Sequence, residues 1–318
     1  MMEKENKYMV CVKCLTFNHA QYIEDALDSF CIQQTTFPFV CVIVDDSSTD
    51  GEPEVIERYM NEHFDLNDAS IVRQENTDDY RMVFARHKDN QNCYFSVYYL
   101  KYNHYSISKS KMALITEWTE NAKYHAICEG DDYWIDPMKL QKQVDFLEAH
   151  PEHSLCFCAH KTQYPDGTMI DTICYEDDVE QGPMEDIRLG GGSYMATNSM
   201  LYRNSMYVPF STWAVDCPIG DLPLLLTLAN KGKVGYLKDI MCVYRIFANG
   251  SWTQKRQSAD IKRRRSHYRA IRKMWYQFDE WSEGKYHKIV VKKLRKNKFT
   301  QYKRETRRLI RWLSARFK

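Results

Sequence analysis

Two adjacent carboxylates, Asp131 and Asp132, are the residues best suited to do chemistry. They follow the run Tyr124 to Cys128, which reads as a buried strand, and they precede Tyr133 and Trp134. Side by side they repel, and they cost stability unless a cation offsets their charge. A divalent ion with oxygen ligands, Mn²⁺ or Mg²⁺, is the natural partner and would bridge ligand phosphates. The dipeptide alone suits an exposed acidic turn equally well. Its place at a strand end is what points to a site, because open α/β sheets bind ligands at the carboxyl ends of their strands. A second pair, Asp45 and Asp46, ends the apolar run FVCVIV. One of these carboxylates can accept the N–H of a pyrimidine base. The flanking Ser47, Ser48 and Asp50 suit a turn with a helix cap as well.

The elements around these pairs alternate. Tyr8 to Leu15 reads as a buried strand, Ile23 to Cys31 as a helix, and Phe39 to Val44 as a second strand. Glu54 to Phe64 follows as a helix and Ser70 to Arg73 as a short strand. Continuously apolar strands between amphipathic helices predict an α/β domain with a mostly parallel sheet. Residues 74–108 mix polar and aromatic side chains, and the spacing gives only a strand near Tyr94 to Leu100. A helix over Lys109 to Thr119 follows. Another starts at Pro137, a favoured place for proline, with Leu140, Val144, Phe146 and Leu147 turned inward. Leu155 to His160 reads as a strand before a hairpin turn at Asp166 and Gly167. Residues 171–193 are acidic and then glycine-rich. Beyond them come a strand over Met200 to Arg203, a helix over Asp221 to Lys231, and two strands, Val234 to Leu237 and Met241 to Tyr244.

Charge is uneven. The whole chain of 318 residues carries +1, yet Lys255 to Lys318 hold 23 Lys and Arg against 5 Asp and Glu. This stretch is helical in pattern and rich in aromatics, and it ends with Leu309, Ile310, Trp312, Leu313 and Phe317 among arginines. A basic, aromatic helix suits adsorption to an anionic membrane surface. The same residues could pack on the rest of the chain, and nucleic acid is not the expected partner. The acidic pairs all lie before residue 250, so the tail is expected to be separable from them. No apolar run reaches the roughly 18 to 20 residues that span a bilayer, and the start lacks a secretory pattern. The expectation is a cytoplasmic protein, peripheral on the inner face of the membrane. The 11 cysteines are odd in number and scattered, as for reduced thiols. Cys11 and Cys14 form a CxxC, but three residues apart in a strand they face opposite sides, as small buried side chains rather than a metal pair.

The stretches VCVKCLTFNHAQYIEDALDSF…VIVDDSSTDG, from Val10 to Gly51, and EGDDYWIDPMKLQKQVDFLEAHP, from Glu129 to Pro151, closely resemble glycosyltransferase family 2. That family comprises inverting enzymes of GT-A fold. The resemblance implies a GT-A, Rossmann-like α/β fold for residues 1–250, with a nucleotide-binding part at about 8–135 and an acceptor part at about 136–250. Residues 251–318 are expected to form a basic helical C-terminal region. It implies that Leu15, Phe17 and Asn18 line the base pocket, that Asp46 with Asp45 beside it contacts the base, that Asp131 faces the ribose or sugar, and that Asp132 ligates the metal. Asp221, in Gly220-Asp221-Leu222-Pro223-Leu224, matches the catalytic base, with Asp216 as runner-up; an acidic residue there also suits a helix cap. Arg245 and Lys109, with Lys111, are candidate phosphate contacts. Where the family often has a histidine two residues after Tyr-Arg, this chain has Phe247. The function implied is metal-dependent transfer of a sugar, from a nucleotide-sugar that is expected to be a UDP-sugar, to a glycan or lipid-linked glycan. The setting implied is cell-surface polysaccharide synthesis. The alternative is a non-catalytic protein that binds nucleotides, or nucleic acid through its basic tail.

Overall fold

The computed structural model describes residues 6–178, 195–209, 212–214, 217–248, 254 and 260–298. In chain order the main elements are β1 (Tyr8–Thr16), α1 (Ile23–Cys31), β2 (Phe39–Asp45), α2 (Glu52–His63), β3 (Phe64–Asp65), β4 (Arg73–Asn76), β5 (Tyr80–His87) and β6 (Cys93–Leu100). Then come α3 (Met112–Glu120), β7 (Ala122–Ile127), β8 (Tyr133–Trp134), α4 (Lys139–Ala149), β9 (His153–Gln163), β10 (Met169–Thr172), β11 (Leu201–Arg203), α5 (Asp221–Lys231), β12 (Lys233–Arg245) and α6 (Ile261–Trp281). A further helix, α7, covers 287–298.

One sheet organises the larger of two compact units, which among the described residues takes 6–178, 195–207 and 231–248. Its strand order is β3-β5-β6-β2-β1-β7-β11-β9-β12-β8, with β4 on β5 and β10 on β9. The centre, β6-β2-β1-β7, is parallel. All seven residues of β2 are buried, as the unbroken apolar run requires of a strand covered on both faces. Antiparallel β5 extends one side and antiparallel β11 joins β7 to β9. Val10, Val12 and Cys14 pack beneath one face with α1 and α2, while Tyr8 and Cys11 pack on the other with Ile115 and Trp118 of α3. Cys11 and Cys14 therefore take opposite faces, and every described cysteine is a free thiol.

Several expectations are corrected. The strand expected at Ser70 to Arg73 begins only at Arg73, because Asp68 accepts the amides of residues 70 and 71 and holds a turn there. Residues 80–87, unassigned from sequence, form an eight-residue strand on β6. The two strands expected at 234–237 and 241–244 are one strand, β12, with irregular register between Leu237 and Cys242. Polar Lys238 and Asp239 bulge outward there and break the apolar pattern. Residues 179–194, with Gly190 to Gly192, lie outside the described residues.

The smaller unit takes described residues from 208–230 together with 260–298, so grouping by contact differs from a break at residue 250. Trp213, Leu222 and Leu226 share one apolar cluster with Met274, Trp275, Phe278 and Val290. Trp213 stacks on Trp281 with centroids 5.4 Å apart, and its indole N–H donates to Thr227 Oγ1 at 2.9 Å. Within this unit α6 buries its apolar stripe against α5. Its basic residues Lys262, Arg263, Arg269 and Arg272 stay exposed. Among the described residues no helix is long and apolar enough to cross a membrane. Leu309 to Phe317 lie outside them.

Candidate active site

Strand register brings the acidic pairs together. Thr16 pairs with Asp45 across β1 and β2, and Lys13 with Ile127 across β1 and β7. The loops leaving β1, β2 and β7 therefore leave the same end of the sheet, where the chain has crossed from one side of β1 to the other. Ligands of open α/β sheets collect at such switch points. The turn after β7 lies flush on the end of β1: Gly130 N–H donates to Leu15 O at 3.3 Å. A Cβ on Gly130 would sit 2.1 Å from Thr16 Oγ1, so only glycine lets the chain pass.

Glu129, Asp131 and Asp132 each offer a carboxylate oxygen within 4.8 Å of the others. Asp132 is 1% exposed. Its Oδ1 accepts the backbone N–H of Arg245 at 2.8 Å, while its Oδ2 is buried with no hydrogen-bond partner. Burial first, and then repulsion from Asp131, push its carboxyl well above the usual carboxylate range. A buried, bare carboxylate oxygen beside two further carboxylates is costly as it stands and suits a divalent cation. The donors are all oxygens, which fits Mg²⁺ or Mn²⁺.

Arg245 closes the cluster from β12. Its guanidinium donates to the carbonyl of Asp131 at 3.1 Å and to Gln163 at 3.2 Å, pairs with Asp25, and lies over the rings of Tyr133 and Tyr22. It is therefore held in place and faces the cluster. Phe247 takes a left-handed backbone, φ 61°, just beyond it.

The β1 and β2 turns are tied to each other. Asn18, itself left-handed at φ 58°, accepts the amide of Thr49 at 2.9 Å and donates its own amide to Ser48 Oγ at 2.9 Å. Leu15 is 40% exposed and Phe17 half-buried beside them. The two aspartates differ. Asp46 is engaged: Lys111 pairs with it at 2.8 Å, and the amides of His104 and Tyr105 donate to it at 2.7 and 3.2 Å. Asp45 accepts a long bond from Ser48 N–H, 3.3 Å, and its Oδ1 is buried without a partner. Burial, with a smaller push from Glu52 and Asp46, raises its carboxyl to about 6. Lys109, a candidate phosphate contact, is held by Asp79 at 2.6 Å and by the Tyr102 hydroxyl at 2.7 Å. Its neighbour Lys111 is the lysine that reaches the site.

Asp221 is the first residue of α5 and is half-buried, in the smaller unit. Asp216 lies outside the described residues. Sequence reasoning passed over Glu52, His19, Glu129 and the 103–105 loop. Glu52 reads as an ordinary helix-start glutamate, yet it is wholly buried. Burial of a charge is decided by neighbours distant in sequence.

Residues 11–80 match the family model described as Glycosyl transferase family 2, a stretch running from β1 through the Asp45–Asp46 turn into β5. An uncharacterized protein of Mycobacterium tuberculosis is 32% identical over 248 residues, covering 75% of this chain and 59% of the relative, and one of Mycobacterium bovis matches equally. The chain thus spans about six tenths of the length of these relatives. The putative teichuronic acid biosynthesis glycosyltransferase TuaG of Bacillus subtilis is 24% identical over 292 residues, 90% of this chain and 98% of that protein. Among solved structures, S. aureus TarS 1-349 in complex with UDP-GlcNAc is 15% identical, with TM-score 0.53 over 85% of this chain and 66% of that one. This likeness shows the fold: an α/β sheet flanked by helices, as the sequence implied.

Proposed function

We propose that this protein is a metal-dependent glycosyltransferase. It moves a sugar, with inversion, from a nucleotide-sugar, a UDP-sugar in our reading, to a glycan or lipid-linked glycan acceptor. The observation that carries the reading is the bare, buried Asp132 oxygen beside Asp131 and Glu129, at the same sheet end as the Asp45 turn. The family match over residues 11–80, the UDP-GlcNAc bound by TarS and the polysaccharide pathway named for TuaG support the substrate class.

In this reading Asp132, with Asp131 and Glu129, holds Mn²⁺ or Mg²⁺. The ion, when bound, stabilises the negative charge of the leaving diphosphate. Asp131 faces the ribose or sugar. Leu15, Phe17 and Asn18 line the base pocket, and Asp45, whose Oδ1 lacks a donor, accepts the base N–H with Asp46 beside it. Arg245 and Lys111 place positive charge where phosphates would lie. Asp221 takes the proton of the acceptor hydroxyl as that oxygen attacks the sugar carbon. The exposed basic face of α6 draws the enzyme to an anionic inner membrane surface, where lipid-linked acceptors lie.

Calorimetric titration of UDP with and without Mn²⁺ tests the reading. Wild type should bind UDP tightly only with the ion, and Asp132→Ala should abolish that dependence. UDP binding indifferent to Mn²⁺ in wild type would remove the metal assignment. Binding of RNA in place of UDP would favour the non-catalytic alternative. A hydrolysis screen over a panel of nucleotide-sugars would identify the donor.

A further inference from the structure

Glu52 is wholly buried at the start of α2 and gathers three donors. The Thr16 hydroxyl donates to its Oε1, and the His19 amide and the Ser48 hydroxyl donate to its Oε2 at 2.9 and 2.8 Å. A carboxylate can only accept, so the single hydroxyl hydrogen of Thr16 is committed to Glu52. Thr16 Oγ1 also lies 3.1 Å from His19 Nδ1. With its hydrogen spent, that oxygen accepts, and Nδ1 must carry the proton. The tautomer follows from the network: neutral His19 has its lone pair on Nε2.

That nitrogen faces the acidic cluster. Nε2 is 3.9 Å from Asp131 Oδ2, and both side chains are nearly buried. The distance is too long for a hydrogen bond. It matches the span of two ligands of one ion, since atoms about 2.1 Å from a metal lie roughly 3 to 4 Å apart. Histidines that bind metals usually donate the other ring N–H to a group that fixes ring and tautomer. Here Thr16 is that group, and buried Glu52 orients Thr16. The bare Asp132 Oδ2 in the same cluster independently calls for a cation.

We propose that His19 Nε2 is a nitrogen ligand of the divalent ion at the Asp131–Asp132 site, with Glu52 as the positioning residue that sets its tautomer through Thr16. This rests on the metal reading of that site. It also sets the choice of ion. Mg²⁺ is a hard ion that keeps oxygen ligands, so a nitrogen ligand should favour Mn²⁺ over it, and the preference should be lost without His19.

Pulsed electron paramagnetic resonance of Mn²⁺ on the full chain, with and without UDP, reads the ligand directly. The expected result is a coupling from a bound imidazole nitrogen in wild type, absent in His19→Ala. Mn²⁺ affinity should fall about 10- to 100-fold, as for losses around metal ligands, while Mg²⁺ affinity changes little. Glu52→Gln is the second variant. Its amide N–H₂ would face Thr16, turn the hydroxyl toward Nδ1, and move the imidazole proton onto Nε2. The nitrogen coupling should vanish although His19 is intact and the protein folded. Mn²⁺ bound in wild type without nitrogen coupling overturns this inference alone, as does a coupling that survives His19→Ala. Failure of wild type to bind Mn²⁺ at all, even with UDP, overturns it together with the metal reading.

Discussion

Asp45 carries a pH signature that the fold imposes on a single residue. Its carboxyl rises from the ordinary 3.8 to about 6 in the folded chain, chiefly through burial. The folded state therefore holds the proton more tightly than the unfolded state. Stability from this group is full below about pH 4 and is lost as pH rises through 6. Above pH 6 the ionised form costs on the order of 2 to 3 kcal/mol. Asp45→Asn should raise the melting temperature at pH 7.5, have no effect near pH 4, and weaken UDP binding. Melting curves that match wild type at both pH values would mean that Asp45 is better solvated than its burial indicates. Asp221 makes a different demand at the same scale. Asp221→Asn should leave donor binding intact and lower kcat by about 10² to 10⁴-fold, the usual cost of losing a general base. An unchanged kcat with a raised KM would assign Asp221 to substrate positioning, and Asp216 would be the next residue to replace.

Among the elements, α6 decides how the C-terminal region must be tested. Met274, Trp275 and Phe278 are buried against Trp213, Leu222 and Leu226. Each such side chain contributes about 1.5 to 3 kcal/mol by leaving water. Removing everything after residue 254 would uncover the apolar side of α5 as well as discard positive charge. Truncated protein should therefore be aggregation-prone, and a membrane-binding defect in it would carry no information. Trp275→Ala alone should destabilise by about 3 to 5 kcal/mol through its cavity, measured by urea unfolding. A loss under 1 kcal/mol would show that this cluster is not a core.

At the scale of the whole molecule, charge is segregated: residues 255–318 carry 23 basic against 5 acidic side chains in a chain of net charge +1. Each basic residue near an anionic surface is worth about 1 kcal/mol, within a Debye length. Glutamate at Lys262, Arg263, Arg269 and Arg272 keeps the buried stripe of α6 and reverses its exposed face. Wild type should co-sediment with phosphatidylserine-containing vesicles at low salt and be released as salt rises, and the quadruple variant should stay in solution. Wild type that never sediments removes the membrane from the proposal and leaves α6 as a packing element alone.

The sequence by itself determined the alternating elements and the acidic residues at their ends. Continuous apolar runs such as Phe39 to Val44 have one stable home, a strand covered on both faces. Ile23 to Cys31 shows a helical stripe within a single window, and its bounds are those observed. Local pattern failed where order depends on distant partners. Tyr80–His87 becomes a strand because β6 offers it an edge, and β12 runs unbroken through its polar bulge because β9 continues beside it. Only the tertiary structure decided which carboxylates are free. Asp45 and Asp46 are neighbours with the same chemistry, yet the 103–111 loop engages one and leaves the other with a bare oxygen. The orientation of His19 likewise depends on Glu52, more than thirty residues away in sequence. Hydrogen-bond partners, and so protonation and tautomer, are set by through-space neighbours that no local spacing encodes.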